Sequence, residues 1–209
     1  MNPQAEPDTR DLGNLSGAAG ALAPIWFLVT LAILAVLHGH VDVSGHQLER
    51  FGLLMYLGFF AYGLLTMIFA IGLRAVLPPT RRARAAQVLL MVFACGPLLG
   101  TFTMGPEHGP PQSWHAALHF AGFLLVTLVP IVALPVFAWA VWRDPRWAGY
   151  GWLTLVTAAV ITVLVFSPGV PQEGYAVLSG PGSILHLVVL GAWQVRIALH
   201  SRRLAPNPG

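Results

Sequence analysis

The chain has 209 residues, of which 56% are hydrophobic and only 9% are charged. Soluble domains average about 25% charged residues, so this composition excludes an ordinary soluble protein and predicts a membrane protein. All 11 basic residues are arginines, and they lie in short clusters between apolar runs. That pattern sets membrane topology and does not indicate a nucleic-acid partner. The one cysteine, Cys95, excludes a disulfide framework.

Six apolar runs predict transmembrane helices, because a span needs roughly 20 apolar residues. We place these helices at about residues 21–37, 51–73, 86–104, 114–142, 149–166 and 183–199. Residues 1–20 are polar and rich in Gly, Pro, Asn and Asp, which predicts a disordered tail and not a signal peptide. Residues 200–209 form a second tail. The sequence therefore predicts an all-α membrane protein, a single bundle of six transmembrane helices.

The arginines predict the orientation of this bundle. With six spans, ten of the 11 arginines fall on one side and only Arg50 falls on the other. Cytoplasmic loops carry the excess of basic residues, so both termini are predicted to be cytoplasmic, in the inner membrane of a bacterium. Four tryptophans around the loop between the fourth and fifth helices predict an interfacial belt: Trp139, Trp142, Trp147 and Trp152.

The opposite, outer side carries most of the histidines. His115 and His119 are four residues apart and share a helix face, and Ser113 before them is a predicted N-cap. His186 lies a similar short distance into the sixth helix. Three imidazoles and a water form a catalytic zinc pattern. The sequence therefore predicts His115, His119 and His186 as candidate zinc ligands.

Two nearby carboxylates complete this hypothesis, and a second interpretation competes with it. Glu107 or Asp42 is the candidate general base towards a metal-bound water. The competing interpretation is that these histidines only hydrogen-bond and solvate the membrane surface, because H-x-x-x-H without an internal glutamate is a weak motif. The remaining outer histidines are interpreted as loop residues without a special role: His38, His40, His46 and His108.

The interior of the predicted spans argues against transport. No ionisable residue lies near the middle of any span, whereas ion pathways and proton relays usually need one. Three classes of function stay open: a protein that binds a lipid or a partner at its outer face, a zinc-dependent hydrolase acting on a lipid or small amphiphile there, and a histidine-based pH-responsive module. Glycine-rich helix faces permit a homodimer.

Four stretches resemble a known family: Leu48-Glu-Arg-Phe-Gly52, Phe69-Ala-Ile-Gly-Leu-Arg74, Ser113-Trp-His-Ala-Ala-Leu-His119 and Trp142-Arg-Asp-Pro-Arg-Trp-Ala-Gly-Tyr-Gly-Trp152. They are similar to the bacterial six-helix membrane family catalogued as domain of unknown function number nine hundred ninety-eight, over roughly residues 21–199. The resemblance implies six helices and an integral membrane location, and no established activity.

Two positions depart from that family's pattern. The family commonly shows Phe-Pro-x-Asp at the outer end of the third helix, where this chain has Phe102-Thr-Met-Gly105. It also tends to carry an acidic-Arg pair at the start of the sixth helix, where this chain has Leu185-His186. Without these carboxylates, we do not expect an acid-base role at these positions, and we interpret His186 as a local replacement for a hydrogen-bond donor.

Overall fold

The computed structural model describes residues 9–40, 43, 45–102, 113–166 and 181–204. Throughout these ranges the regular structure is helical. The six α-helices are α1 (Thr9–His38), α2 (Gly52–Gly72), α3 (Arg81–Leu99), α4 (Trp114–Val141), α5 (Tyr150–Phe166) and α6 (Pro181–Leu204), with short 3₁₀ helices at Gly45–Leu48, Leu73–Ala75 and Pro145–Trp147. The predicted all-α fold with six helices is confirmed.

Five of the helices are long and apolar enough to cross a membrane, counting only the described residues. Their candidate spans are Gly13–His38, Gly52–Ala75, Arg81–Leu99, Trp114–Val141 and Ile184–Leu204. The remaining helix, α5, is apolar but has 17 residues, which is at the lower end of the length that crosses a bilayer. The chain is therefore a multi-pass membrane protein.

The first helix begins earlier than the sequence indicates. Residues 9–20 belong to α1, although their polar composition predicts a disordered tail. Long-range packing explains the difference: the Ser16 hydroxyl donates a hydrogen bond to the Phe69 carbonyl oxygen, 3.0 Å away, and a Cβ at Gly20 would collide with the Phe69 ring. Tertiary contacts thus stabilise a helix that local composition does not favour. At the other end of the chain, α6 continues to Leu204, into the predicted second tail.

The helices close into a ring. Each helix packs against the next along the chain, and α6 packs against α1. Their inward faces form one apolar cluster, in which the Phe137 ring of α4 meets the Trp193 ring of α6 edge-on, with centroids 5.5 Å apart. Trp147 is buried in this cluster with 1% of its surface exposed, so the tryptophan belt that the sequence predicts there does not include it. Trp139, Trp142 and Trp152 are exposed.

Buried hydrogen bonds join helices inside the ring. The Gln194 side-chain amide of α6 donates to the Gly20 carbonyl oxygen (3.2 Å) and to the Thr66 hydroxyl (3.1 Å). The Trp193 indole donates to the Thr154 hydroxyl, 2.9 Å away. Polar groups at membrane depth need internal partners because lipid supplies none. These bonds therefore tie α6 to α1, α2 and α5 at fixed positions.

Glycines let α3 and α4 approach closely. A Cβ at Gly122 would lie 2.5 Å from the Gly96 carbonyl oxygen and 2.9 Å from the Gly100 nitrogen. Small residues spaced four apart are the usual device for close helix packing in membranes. These glycines pack inside the chain, and the homodimer that the sequence permits stays a prediction.

Gly122→Val is expected to lower the thermal stability of the purified protein. The added side chain meets backbone atoms that cannot move aside, and overpacking of this kind costs about 1–3 kcal/mol. The measurement is the unfolding midpoint in detergent, with Ala117→Val as the control because Ala117 is exposed on the same helix. Equal midpoints for the two variants would contradict the close α3–α4 packing.

Candidate functional site

The antiparallel pair α1 and α2 creates the candidate site. The Phe27 ring of α1 packs against Phe59 and Tyr62 of α2, with ring centroids 5.4 and 5.1 Å apart. This packing places the end of α1 beside the beginning of α2. The connection between them contains the 3₁₀ helix Gly45–Leu48, which we call the connecting turn. His38 closes α1, and Glu49 follows the connecting turn, so residues from both ends meet.

Two histidines and a glutamate converge here. The Glu49 Oε2 atom lies 2.6 Å from His46 Nδ1 and contacts His38 Nδ1 directly. The two Nδ1 atoms are 3.2 Å apart, and the ligand atoms of all three residues lie within 4.8 Å of one another. We call His38, His46 and Glu49 the histidine–glutamate triad. This group can hold a metal ion.

Hydrogen bonds to backbone carbonyls fix which ring nitrogens carry protons. His38 Nε2 lies 3.1 Å from the Arg50 carbonyl oxygen, and His40 Nδ1 lies 3.2 Å from the His38 carbonyl oxygen. A carbonyl oxygen only accepts hydrogen bonds, so both of these nitrogens are donors. The other nitrogens, His38 Nδ1 and His40 Nε2, therefore face Glu49 with lone pairs when the rings are neutral.

Such an arrangement requires positive charge between the rings and the carboxylate. His40 Nε2 lies 3.0 Å from Glu49 Oε1, so the imidazoles approach both oxygens of the carboxylate. Lone pairs on neutral rings would repel a carboxylate at these distances, and either protons or a metal ion removes the repulsion. Hydrogen bonding to His46, aided by positive charge on the neighbouring histidines, lowers the pKa of Glu49. Glu49 is thus kept in its ionised form, which is the form that binds metals.

The triad is buried on one side and open on the other. The exposed fraction of the side chain rises from 0% for His46 and 13% for His38 to 30% for Glu49. The neighbouring His40, outside the triad, is 53% exposed. The buried side holds the ligand atoms in place, and the open side is in contact with solvent. A site with this gradient can bind an ion and still expose a coordination position.

The connecting turn is anchored to the third helix. The Gln47 side-chain amide is buried and donates a hydrogen bond to the Gly100 carbonyl oxygen, 2.6 Å away. Gly52, where α2 begins, has no space for a side chain because a Cβ there would collide with the Gln47 carbonyl group. Phe51 before it takes a left-handed conformation with φ of 74°, which turns the chain sharply into α2. These contacts hold His46 and Glu49 in position.

The histidines predicted as zinc ligands occupy different environments. His115 is exposed and lies against Trp114, with ring centroids 3.5 Å apart. His119 is buried, donates its Nδ1 proton to the Phe102 carbonyl oxygen 2.7 Å away, and meets Phe59 edge-on. The predicted cap of their helix is confirmed, since the Ser113 hydroxyl accepts a hydrogen bond from the Ala116 amide.

His186 is buried in α6. Among the described residues, the group of three ligand side chains close enough to share an ion is the histidine–glutamate triad, which contains none of the three predicted ligands. Zinc binding by His115, His119 and His186 stays a prediction. The candidate bases Asp42 and Glu107, with His108, lie outside the described residues.

Sequence reasoning passed over the triad because its members look like ordinary loop residues. The signal was present as two short spacings, His38-Gly-His40 and His46-Gln-Leu-Glu49. A pair two residues apart and a pair three residues apart can both bring side chains to one side of a turn. Their meeting depends on the antiparallel packing of α1 and α2, and each spacing by itself is too common to indicate a metal.

The fold and this site define the protein as a multi-pass helical membrane protein with a histidine–carboxylate group at one end of its bundle. The chain belongs to the family described as protein of unknown function DUF998, whose model matches residues 21–200. The family membership expected from the sequence is confirmed. No curated protein and no solved structure matches the chain.

Replacing Gln47 with Leu is expected to loosen the connecting turn. The buried hydrogen bond from Gln47 to the Gly100 carbonyl oxygen is lost, which costs about 0.5–1.5 kcal/mol, and residues 45–50 then exchange their amide hydrogens faster. Hydrogen exchange followed by mass spectrometry measures this. Gln87→Leu is the matched control, since Gln87 makes a similar but exposed bond to the Ile71 carbonyl oxygen. Unchanged protection of residues 45–50 in Gln47→Leu would show that the anchor is unimportant.

Proposed function

We propose that this protein is a zinc-dependent hydrolase of the membrane that holds its metal with the histidine–glutamate triad. The observation that carries the proposal is the convergence of His38 Nδ1, His46 Nδ1 and a Glu49 oxygen. Two histidines, one carboxylate and an open fourth position are the ligands of a known type of catalytic zinc site. The proposal keeps the predicted chemistry and assigns the metal to different histidines.

The spacing of the two histidines in the triad supports a metal ion. Tetrahedral zinc with bonds of 2.0–2.1 Å separates its ligand atoms by about 3.3 Å, and the two Nδ1 atoms are 3.2 Å apart. The Glu49 oxygen is only 2.6 Å from His46 Nδ1 and has to move outwards when an ion binds. Ligating histidines usually donate their second ring proton to a carbonyl or carboxylate, which fixes the tautomer. His38 does so to the Arg50 carbonyl oxygen. The Glu49 side chain is partly exposed to solvent, so protein atoms do not enclose it on every side.

The surroundings of the triad support hydrolysis. Zinc with three protein ligands supplies a nucleophilic water at neutral pH. His40 binds the second Glu49 oxygen and therefore orients the carboxylate as a ligand. Asp42 and Glu107 are retained as the proposed general bases. Because the triad lies where two membrane helices end, the proposed substrate is a lipid or small amphiphile with an ester or amide bond.

The proposed location is the outer face of the inner membrane, with both termini in the cytoplasm. His38 lies at one end of α1, and Gly17 near the other end of α1 packs against Arg202. The arginine-rich end of the bundle is thus opposite to the triad, and basic residues favour the cytoplasmic side. The triad then faces outwards. Binding of a lipid or partner without hydrolysis, and a pH-responsive role of the histidines, are the two alternatives that a protein without a metal would favour.

Purified wild-type protein is expected to contain zinc, at about one ion per chain. His46→Ala and Glu49→Gln each remove a ligand and should lose the ion. His40→Ala removes only the group that orients Glu49, so it should weaken zinc affinity by about 10- to 100-fold. Inductively coupled plasma mass spectrometry gives the metal content, and it also detects iron, which binds the same set of ligands.

His115→Ala and His119→Ala are the controls for this measurement. Both should retain zinc, because neither residue belongs to the triad. Loss of the metal in His119→Ala with retention in His46→Ala would assign the ion to the histidines predicted from the sequence. Absence of any transition metal from folded wild-type protein would overturn the proposal and favour binding or pH sensing.

Hydrolysis is tested with fluorogenic acyl esters and amides presented in mixed micelles. Wild-type protein is expected to cleave at least one of these amphiphiles, to lose the activity on chelation and to regain it with added zinc. Glu49→Gln should be inactive under all three conditions. Cleavage that survives chelation would contradict a role for the metal, and metal binding without cleavage of any substrate would reduce the proposal to a zinc-binding membrane protein.

A further inference from the structure

A groove of about 800 Å³ lies at the end of the bundle opposite to the triad. Its walls come from the start of α3, the last turns of α4 and the side of α5, including Arg82, Pro135 and Leu155. The proposed hydrolase does not use it, since the triad lies at the other end of α1 and α2. The groove is thus a separate feature that needs its own explanation.

The basic side chains of the groove carry uncompensated positive charge. Arg82 and Arg143 line it and are exposed. The one carboxylate in its lining, Asp144, is occupied by Arg146, with Nη2 to Oδ2 at 2.7 Å and Nε to both oxygens at 3.1 and 3.2 Å. Within the described ranges, no ion pair involves Arg82 or Arg143. The groove is therefore complementary to an anion.

Arg82 is held in place by an aromatic ring, which does not neutralise its positive charge. The Arg82 guanidinium lies over the Trp139 ring, 3.7 Å from its centroid. A cation–π contact orders the side chain and leaves its donors available. Trp139 is itself exposed near the end of α4, and tryptophans in such positions mark the level of the headgroups. Arg82 is thus positioned at the depth of lipid phosphates.

The groove also extends from the level of Arg82 towards the middle of the bundle. From Trp142 it follows α4 to Pro135, and seven residues of helix correspond to about 10 Å. Leu155 of α5 faces the same part of the groove. A soluble phosphate would need only the arginines, whereas a phospholipid also fills an apolar channel that leads towards the hydrocarbon. The shape of the groove therefore favours a phospholipid over a soluble phosphate.

We infer that this groove binds one anionic phospholipid, with its phosphate between Arg82 and Arg143 and an acyl chain along Pro135 and Leu155. Guanidinium groups suit phosphate because they offer several donors in one plane. Each basic residue near an anionic headgroup contributes about a fivefold gain in affinity. The occupant is a single bound lipid, recognised by its headgroup charge and by one chain.

Native mass spectrometry of the purified full-length protein tests this inference. Wild-type protein is expected to bind added dioleoylphosphatidylglycerol more tightly than dioleoylphosphatidylcholine. The double variant Arg82→Gln with Arg143→Gln should bind phosphatidylglycerol roughly 10- to 30-fold more weakly. The matched control is Arg81→Gln with Arg84→Gln, which removes the same charge from exposed positions outside the groove lining and should bind like wild type.

A third variant tests the channel without changing charge. Leu155→Trp fills the apolar part of the groove and should also weaken phosphatidylglycerol binding, so the inference does not rest on the folding of the arginine variants. Inorganic phosphate should not compete with the lipid. Equal binding of the two lipids, equal loss in the control variant, normal binding by Leu155→Trp, or displacement by inorganic phosphate would each overturn the inference.

Discussion

The antiparallel packing of α1 against α2 is the contact on which the rest of the structure depends. Gly20 at one end of the pair packs on Phe69, and Gly58 nearer the other end packs on Thr30. Because this contact fixes the register along the whole pair, His38 at the end of α1 must lie beside Glu49 before α2. Helix α1 also packs against α6, which closes the ring of helices. The position of the candidate metal site therefore depends on how α1 packs.

The two ends of the bundle therefore have different chemistry. At one end, imidazoles surround a carboxylate in a half-buried position that suits a metal ion. At the other, arginines and exposed tryptophans surround a groove whose single carboxylate is already paired with Arg146. In the bilayer core between them, buried amide and hydroxyl groups bond to one another, as Gln194 does to Thr66. The candidate metal site and the arginine-lined groove thus lie at opposite ends of the bundle.

The sequence was sufficient to predict the fold class, because long apolar runs have few alternatives to transmembrane helices. The Ser113 cap was also predictable, since it depends on local chemistry. The start of α1 was not, because residues 9–20 are stabilised by Phe69, far away in the chain. The triad was missed for the same reason: its two halves are separated in sequence and meet only when α1 and α2 pack. Predictions for Asp42 and Glu107 concern residues outside the described ranges.

X-ray absorption at the zinc edge of the purified protein tests the central claim most directly. The histidine–glutamate triad predicts scattering from two imidazole rings, with nitrogen at about 2.0–2.1 Å and further oxygen from a carboxylate and water at similar distance. The two-ring pattern should disappear from Glu49→Gln and His46→Ala, which leave too few ligands. A spectrum with three imidazoles, or one with oxygen ligands alone, would contradict the assignment of the metal to His38, His46 and Glu49.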